Sequence, residues 1–181
     1  FKEAYDGTIE EGDLFLTTDP YACNGAISHI NDWLLLRPIF KDGRLIAYAA
    51  MFGHMTDVGG KVPGSLPTDA REIFEEGIRV PPLKIFKNDE LQGDVLNLIL
   101  HNSRMPTWNR SDFNALVAAM RTAEKRVIEM AERFGDDEYY SALDELLARN
   151  KRAMARLIKD TVPTKKQHFE DYLCDDGLGM G

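Results

Sequence analysis

Two four-residue runs carry the side chains best suited to chemistry: His29-Ile30-Asn31-Asp32 and His54-Met55-Thr56-Asp57. Each sets an imidazole three residues ahead of a carboxylate. The chain has only four histidines, and two of them stand in this pattern. Taken singly, a histidine near a strand end is more often a surface or core residue, and an aspartate near a turn is more often a turn former. Taken together, the four side chains form a mixed nitrogen and oxygen donor set. Such a set suits a divalent transition metal, Mn²⁺, Zn²⁺ or Fe²⁺. It is too rich in nitrogen for Ca²⁺ and argues against Mg²⁺. His29, Asp32, His54 and Asp57 are therefore the expected metal ligands.

The elements that must position them are strands. Trp33 to Phe40 is a near-continuous apolar run of strand length. Pro38 within it requires an edge position or a bulge near that end. Lys41-Asp42-Gly43 is a hairpin signal, and Arg44 to Phe52 reads as the returning strand. With Phe40 opposite Arg44, Asp32 falls opposite Phe52 and Ile30 opposite His54. Both His-x-x-Asp runs then lie at the open end of one hairpin, where neighbouring strands are ~4.8 Å apart. A strand end can leave a coordination position open to substrate, as a catalytic metal requires.

Around the hairpin, Asp13 to Thr18 reads as a short strand and Leu83 to Phe86 as another. Residues 53–67 read as loop, with Gly59-Gly60 and Pro63-Gly64 facing a substrate or forming a tight turn. Pro67 to Glu76 reads as a short helix ended by Gly77, with Glu72, Glu75 and Glu76 clustered on it. The second half is helical. A helix over Asp89–Asn102 would bury Leu91, Val95, Leu98 and Ile99. A long helix from Ser111 or Asp112 to Phe134 is followed, after Gly135, by another to about Lys159. The last would bury Leu143, Leu147, Met154, Leu157 and Ile158, and the pair reads as an antiparallel helical hairpin. His168 to Leu173 reads as the start of a last strand. The expected class is α+β: strands and a metal-site hairpin over 1–88, helices over 89–162, and the start of a further strand region over 163–181. The opening Phe1-Lys2-Glu3 lacks an initiator Met and the closing residues 175–181 read as a turn, so the sequence reads as a fragment of a larger protein.

Composition narrows the function. The 181 residues are 44% hydrophobic, enough for a core, and carry a formal net charge of −8. That charge opposes non-specific binding to nucleic acid, which needs a cationic face. No run approaches 18 apolar residues, so no membrane span is expected. Two cysteines, Cys23 and Cys174, make no disulfide framework, which points to the cytoplasm. Neither a phosphate loop nor a G-x-G-x-x-G motif is present.

Several runs resemble the hydantoinase B/oxoprolinase family. Gly12 to Tyr21 is similar to its G-D-V-F-x-x-N-D-P-Y element, with Thr18 where Asn is usual. Gly53 to Gly60 is similar to its H-x-x-D-x-G-G motif. Pro63-Gly64-Ser65 and Glu72 to Pro82 match its P-G-S and E-I-x-x-E-G-x-x-x-P-P elements, in order. The run Gly25-Ala26-Ile27-Ser28-His29, longer than the usual Gly-Gly-Thr-His, looks more like the carboxylase side of the family.

The resemblance implies the metal-assisted half of an ATP-dependent reaction. That reaction is either hydrolytic opening of a cyclic amide (a hydantoin or 5-oxoproline) or carboxylation of a ketone. It implies a metal held by the His-x-x-Asp pairs, here His29, Asp32, His54 and Asp57. It also implies a hydantoinase A-type partner that binds ATP, and it is compatible with a small third subunit. Asp19 and Glu75 are then candidates for proton transfer or for supporting a ligand. The alternatives are a non-catalytic assembly module and a stand-alone hydrolase.

Overall fold

The computed structural model describes residue 1 and residues 3–172. Five strands form one antiparallel sheet: β1 (Leu14–Thr17), β2 (Asp32–Lys41), β3 (Arg44–His54), β4 (Leu83–Lys87) and β5 (Glu90–Leu91). Their order across the sheet is β3-β2-β1-β4-β5. Three helices follow: α1 (Gly93–His101), α2 (Pro106–Phe134) and α3 (Asp136–Thr161). The class is α+β, with strands in the first half and helices in the second.

The hairpin forms where the sequence places it, in a different register. Asp42 and Gly43 both have positive φ, 52° and 72°. This is the pattern of a two-residue type I′ turn, whose twist matches that of the strands. Lys41 therefore pairs with Arg44, where Phe40 was expected. A register shift between Ile39 and Phe40 then adds one more residue to β3. From there the pairs run from Ile39 with Ala47 to Asp32 with His54. Asp32 thus meets His54 rather than Phe52. The bulge adjoins Pro38, and the pairing of β1 with β2 ends at Leu36, so Pro38 lies where β2 has a neighbour on one side only.

Three other expectations are corrected. Asn88 and Asp89, again with positive φ, turn β4 into β5. That hairpin uses the residues expected to open the first helix, so α1 starts at Gly93. Its buried residues are Leu96, Ile99 and Leu100, while Leu91 and Leu98 are exposed. The short helix over 67–76 is reduced to a 3₁₀ turn, Ile73–Glu75. There the Glu75 side chain accepts from the amides of Arg71 and Glu72, replacing a helical ladder with local side-chain bonds. Residues 168–172 are irregular and pair with no strand among the described residues; Leu173 and residues 175–181 lie outside the described residues.

Contacts divide the chain into two units, Phe1–Val127 and the part from Ile128 onward. In the first, α2 starts at Pro106, earlier than expected, because proline needs no amide partner in a first helical turn. Phe113, Val117 and Met120 are buried along it at helical spacing. The Phe113 ring meets Trp33 edge-on at 6.3 Å and stacks on Phe86 at 6.4 Å. In the second unit α3 has no buried residue. Its expected buried side, Leu143, Leu147, Met154, Leu157 and Ile158, is exposed. Periodicity marks the stripe but does not say what covers it. No helix among the described residues is long and apolar enough to cross a membrane.

Phe113 joins β2 and β4 to α2, so Phe113→Ala should lower unfolding free energy by about 3–5 kcal/mol. Urea titration followed through Trp33 fluorescence reads this directly; a loss below ~1 kcal/mol would contradict the packing described.

Candidate metal centre

β2 opens on Asp32 and β3 closes on His54, and the two are direct cross-strand partners. His29 reaches the same point from the preceding turn, which the Asp32 amide closes by donating to the His29 carbonyl. His29 Nε2 lies 3.1 Å from Asp32 Oδ2 and 3.2 Å from His54 Nδ1. His54 Nδ1 lies 3.2 Å from Asp32 Oδ1. A tetrahedral ion with ~2.0 Å bonds separates its ligands by about 3.3 Å, so these spacings fit a first-row divalent ion. The Asp32 side chain is 11% exposed, His29 30% and His54 45%, so the carboxylate forms the floor and the imidazoles the rim. Two imidazoles and one carboxylate on one side of a point leave the other side for water or substrate.

Asp57, the fourth expected ligand, is placed elsewhere. It is 1% exposed, and its carboxylate accepts from the amides of Gly59, Gly64 and Arg104 and from Arg104 Nη1 at 2.8 Å. Burial pushes this carboxyl up, but the Arg104 amide and guanidinium and the Gly64 and Gly59 amides outweigh burial and hold it at about 2. The Arg104 guanidinium also donates to the carbonyls of Gly59, Gly60 and Val62. The pair therefore ties the 59–64 loop to the segment between α1 and α2.

Asp19 and Glu75 are committed as well. Asp19 Oδ1 caps the amides of Tyr21 and Ala22, and Oδ2 pairs with Arg79. This anchors the start of the loop that carries His29. Lys61, first, and then the Arg71 and Glu72 amides hold the Glu75 carboxyl down at about 2. Neither carboxylate is among the three converging donors.

Residues that spacing did not single out complete the frame. The Asn31 side-chain amide donates to the carbonyls of Met55 and Gly64, joining both His-x-x-Asp runs to the glycine loop. Ser65 accepts from the Val58 amide and donates to the Gly59 carbonyl. Ser103 and Asn109 donate to the Asp57 carbonyl. Asn31 lies inside a flagged run and was detectable there. Arg104 and Asn109 lie 47 and 52 residues from Asp57, and no local pattern marks them.

A five-stranded antiparallel sheet carries, at one strand end, a two-histidine, one-carboxylate cluster of the kind that could hold a metal ion. The hydantoinase B/oxoprolinase family profile matches residues 1–180, and the chain belongs to that family. The caprolactamase beta subunit of Pseudomonas jessenii is 37% identical over 173 residues, 96% of this chain and 29% of that protein. The acetophenone carboxylase delta subunit of Aromatoleum aromaticum is 31% identical over 180 residues, 99% of this chain and 26% of that one. A crystal structure of the ATP-dependent caprolactamase from Pseudomonas jessenii superposes with a TM-score of 0.81 at 34% identity, covering 88% of this chain and 27% of that chain. Nucleotide-free acetone carboxylase gives 0.70 at 26% identity, covering 77% and 18%. The chain spans less than a third of the length of these relatives.

Asp57 titrates below the ordinary aspartate value of 3.8 in the folded protein. Its contribution is therefore present in full above pH ~4 and is lost as pH falls toward 2, amounting to about 2 kcal/mol. Asp57→Asn should lower the melting temperature at pH 7 and flatten stability across that acid range, while bound metal per chain stays at the wild-type value. Loss of the metal in this variant would return Asp57 to the ligand set.

Proposed function

We propose that this chain belongs to a subunit that performs the metal-assisted half of an ATP-dependent reaction, either opening a cyclic amide or carboxylating a ketone. The observation that carries the proposal is the convergence of His29 Nε2, Asp32 Oδ1 and Oδ2, and His54 Nδ1 at one strand end. These three residues hold the ion, Mn²⁺, Zn²⁺ or Fe²⁺. When bound, it supplies Lewis acidity toward a carbonyl or phosphate oxygen. Asp32, shared between both rings, fixes their orientation and offsets part of the ion's charge. Asp57 and Arg104 hold the neighbouring loop in place.

The relatives' names support the ATP dependence: one is an ATP-dependent caprolactamase and another performs ATP-dependent acetone carboxylation. The family resemblance assigns ATP to a partner subunit or domain of hydantoinase A type. The exposed leucines of α3 favour a second role beside the first, as an assembly surface for a multi-subunit complex.

Metal analysis by mass spectrometry should find about one transition-metal ion per wild-type chain. A His29→Ala/His54→Ala variant should retain less than a tenth of that while keeping its circular dichroism spectrum. Equal metal in both proteins, or none in wild type, would sink the metal assignment.

A further inference from the structure

In the second unit, α3 carries an apolar stripe that nothing among the described residues covers. Leu143, Leu147, Met154, Leu157 and Ile158 are all exposed, and the helix has no buried residue. Tyr140, Leu143, Leu147, Asn150, Met154 and Leu157 follow one another at alternating steps of three and four. This spacing is the heptad seam of a coiled coil, which is filled only when a second helix lies against it.

The charges of α3 are segregated along its length. From Asp136 to Glu145 every charged residue is acidic: Asp136, Asp137, Glu138, Asp144 and Glu145. From Arg149 to Lys159 every charged residue is basic: Arg149, Lys151, Arg152, Arg156 and Lys159. The helix dipole favours this order only within the first and last turns. Asp144, Glu145, Arg149 and Lys151 lie between those turns, so the dipole does not account for them. The middle charges also differ in what they already do. Glu145 pairs with Arg152 on the side of the helix away from the stripe. Asp144 and Lys151 stand beside the stripe, on the same flank and one heptad apart, and neither has an ion-pair partner among the described residues.

We propose that α3 pairs antiparallel with α3 of a second copy of this chain and so makes the polypeptide a symmetric dimer. A helix acidic in one half and basic in the other is complementary to its own copy when the two run in opposite directions, and repels it when they run in parallel. Such a contact uses the same patch on both copies and closes on itself. Charge also selects among the heptad registers. With Leu147 level with the second copy's Asn150, Leu143 meets the second copy's Met154 and Tyr140 meets its Leu157. The flanking positions then set Asp144 against the second copy's Lys151, twice by symmetry. A shift of one heptad in one direction brings Lys151 against Lys151, and in the other direction Asp144 against Asp144. Like charges thus oppose both neighbouring registers while two attractive pairs support this one. The inference rests on the assembly reading of α3, which it deepens by naming the occupant, and it takes nothing from the metal reading.

The test follows the mass of the full-length polypeptide by sedimentation velocity across a dilution series. Wild type should sediment as a dimer of this chain. Asp144→Lys and Lys151→Asp each turn both attractive pairs into repulsive ones, and each should raise the dimer dissociation constant about fivefold or more. Asp144→Lys/Lys151→Asp restores both pairs with their signs exchanged and should return the constant to within about twofold of wild type. Leu143→Asp/Leu147→Asp places charges in the seam and should leave monomers where wild type is dimeric. Its circular dichroism should stay helical, because both leucines are exposed in the single chain. A monomeric wild type, a dimer indifferent to the leucine replacements, or single reversals that the combined variant does not repair would each overturn the pairing. The assembly reading is scored apart from it, by capture of the ATP-binding partner on the same leucine variant. A monomeric wild type that loses this partner on leucine replacement overturns the pairing and keeps α3 as an assembly surface. Unchanged mass and unchanged partner capture, with a lower melting temperature, assign the stripe to the remainder of the same polypeptide and overturn both.

Discussion

The pairing of Asp32 with His54 is the constraint on which the candidate site depends. In an antiparallel ladder every pair follows from the turn and from any bulge between turn and pair. Here a type I′ turn at Asp42-Gly43 and one bulge beside Pro38 bring together two residues 22 apart in sequence. A slip of one position would send either side chain to the opposite face of the sheet. The rest of the first unit supports this register. Phe113 packs on Trp33, the residue after Asp32, and Leu116 lies against Gly53, the residue before His54, where a Cβ would come within 3.0 Å of it.

A second network fixes what surrounds the donors. The Asp57–Arg104 pair is buried on the acidic side and satisfied by four hydrogen bonds to the carboxylate. A buried pair broken on one side leaves an uncompensated charge, so such pairs act as anchors more than as sources of net stability. The anchored segment is the glycine loop, and that loop in turn seats segment 75–78. Charge in the region is therefore distributed unequally. Asp19, Asp57 and Glu75 are neutralised by cations, whereas Glu76 pairs with none among the described residues.

The relatives share this core while their names attach to different chemistry, amide hydrolysis and ketone carboxylation. A donor cluster set by hairpin register can be common to both. The loops beside it, 25–29 and 64–68, are then the natural place for substrates to be told apart, because they adjoin the cluster without carrying the sheet.

Much of this was legible in local sequence. The turn signal at Asp42-Gly43, the apolar runs beside it, the helical periodicity after Gly93 and the family motifs are short-range features, and each depends on residues within one element. His29, Asp32 and His54 were legible because a hairpin converts spacing along the chain into proximity. Three things were decided only by the folded chain. The bulge set whether Asp32 faces Phe52 or His54, because a ladder offset depends on both strands. The fate of Asp57 depended on Arg104, 47 residues away, which competes for the carboxylate through a buried ion pair. That Glu75 is paired and Glu76 is not depended on Lys61, since adjacent carboxylates of one type are distinguished only by which cation reaches them.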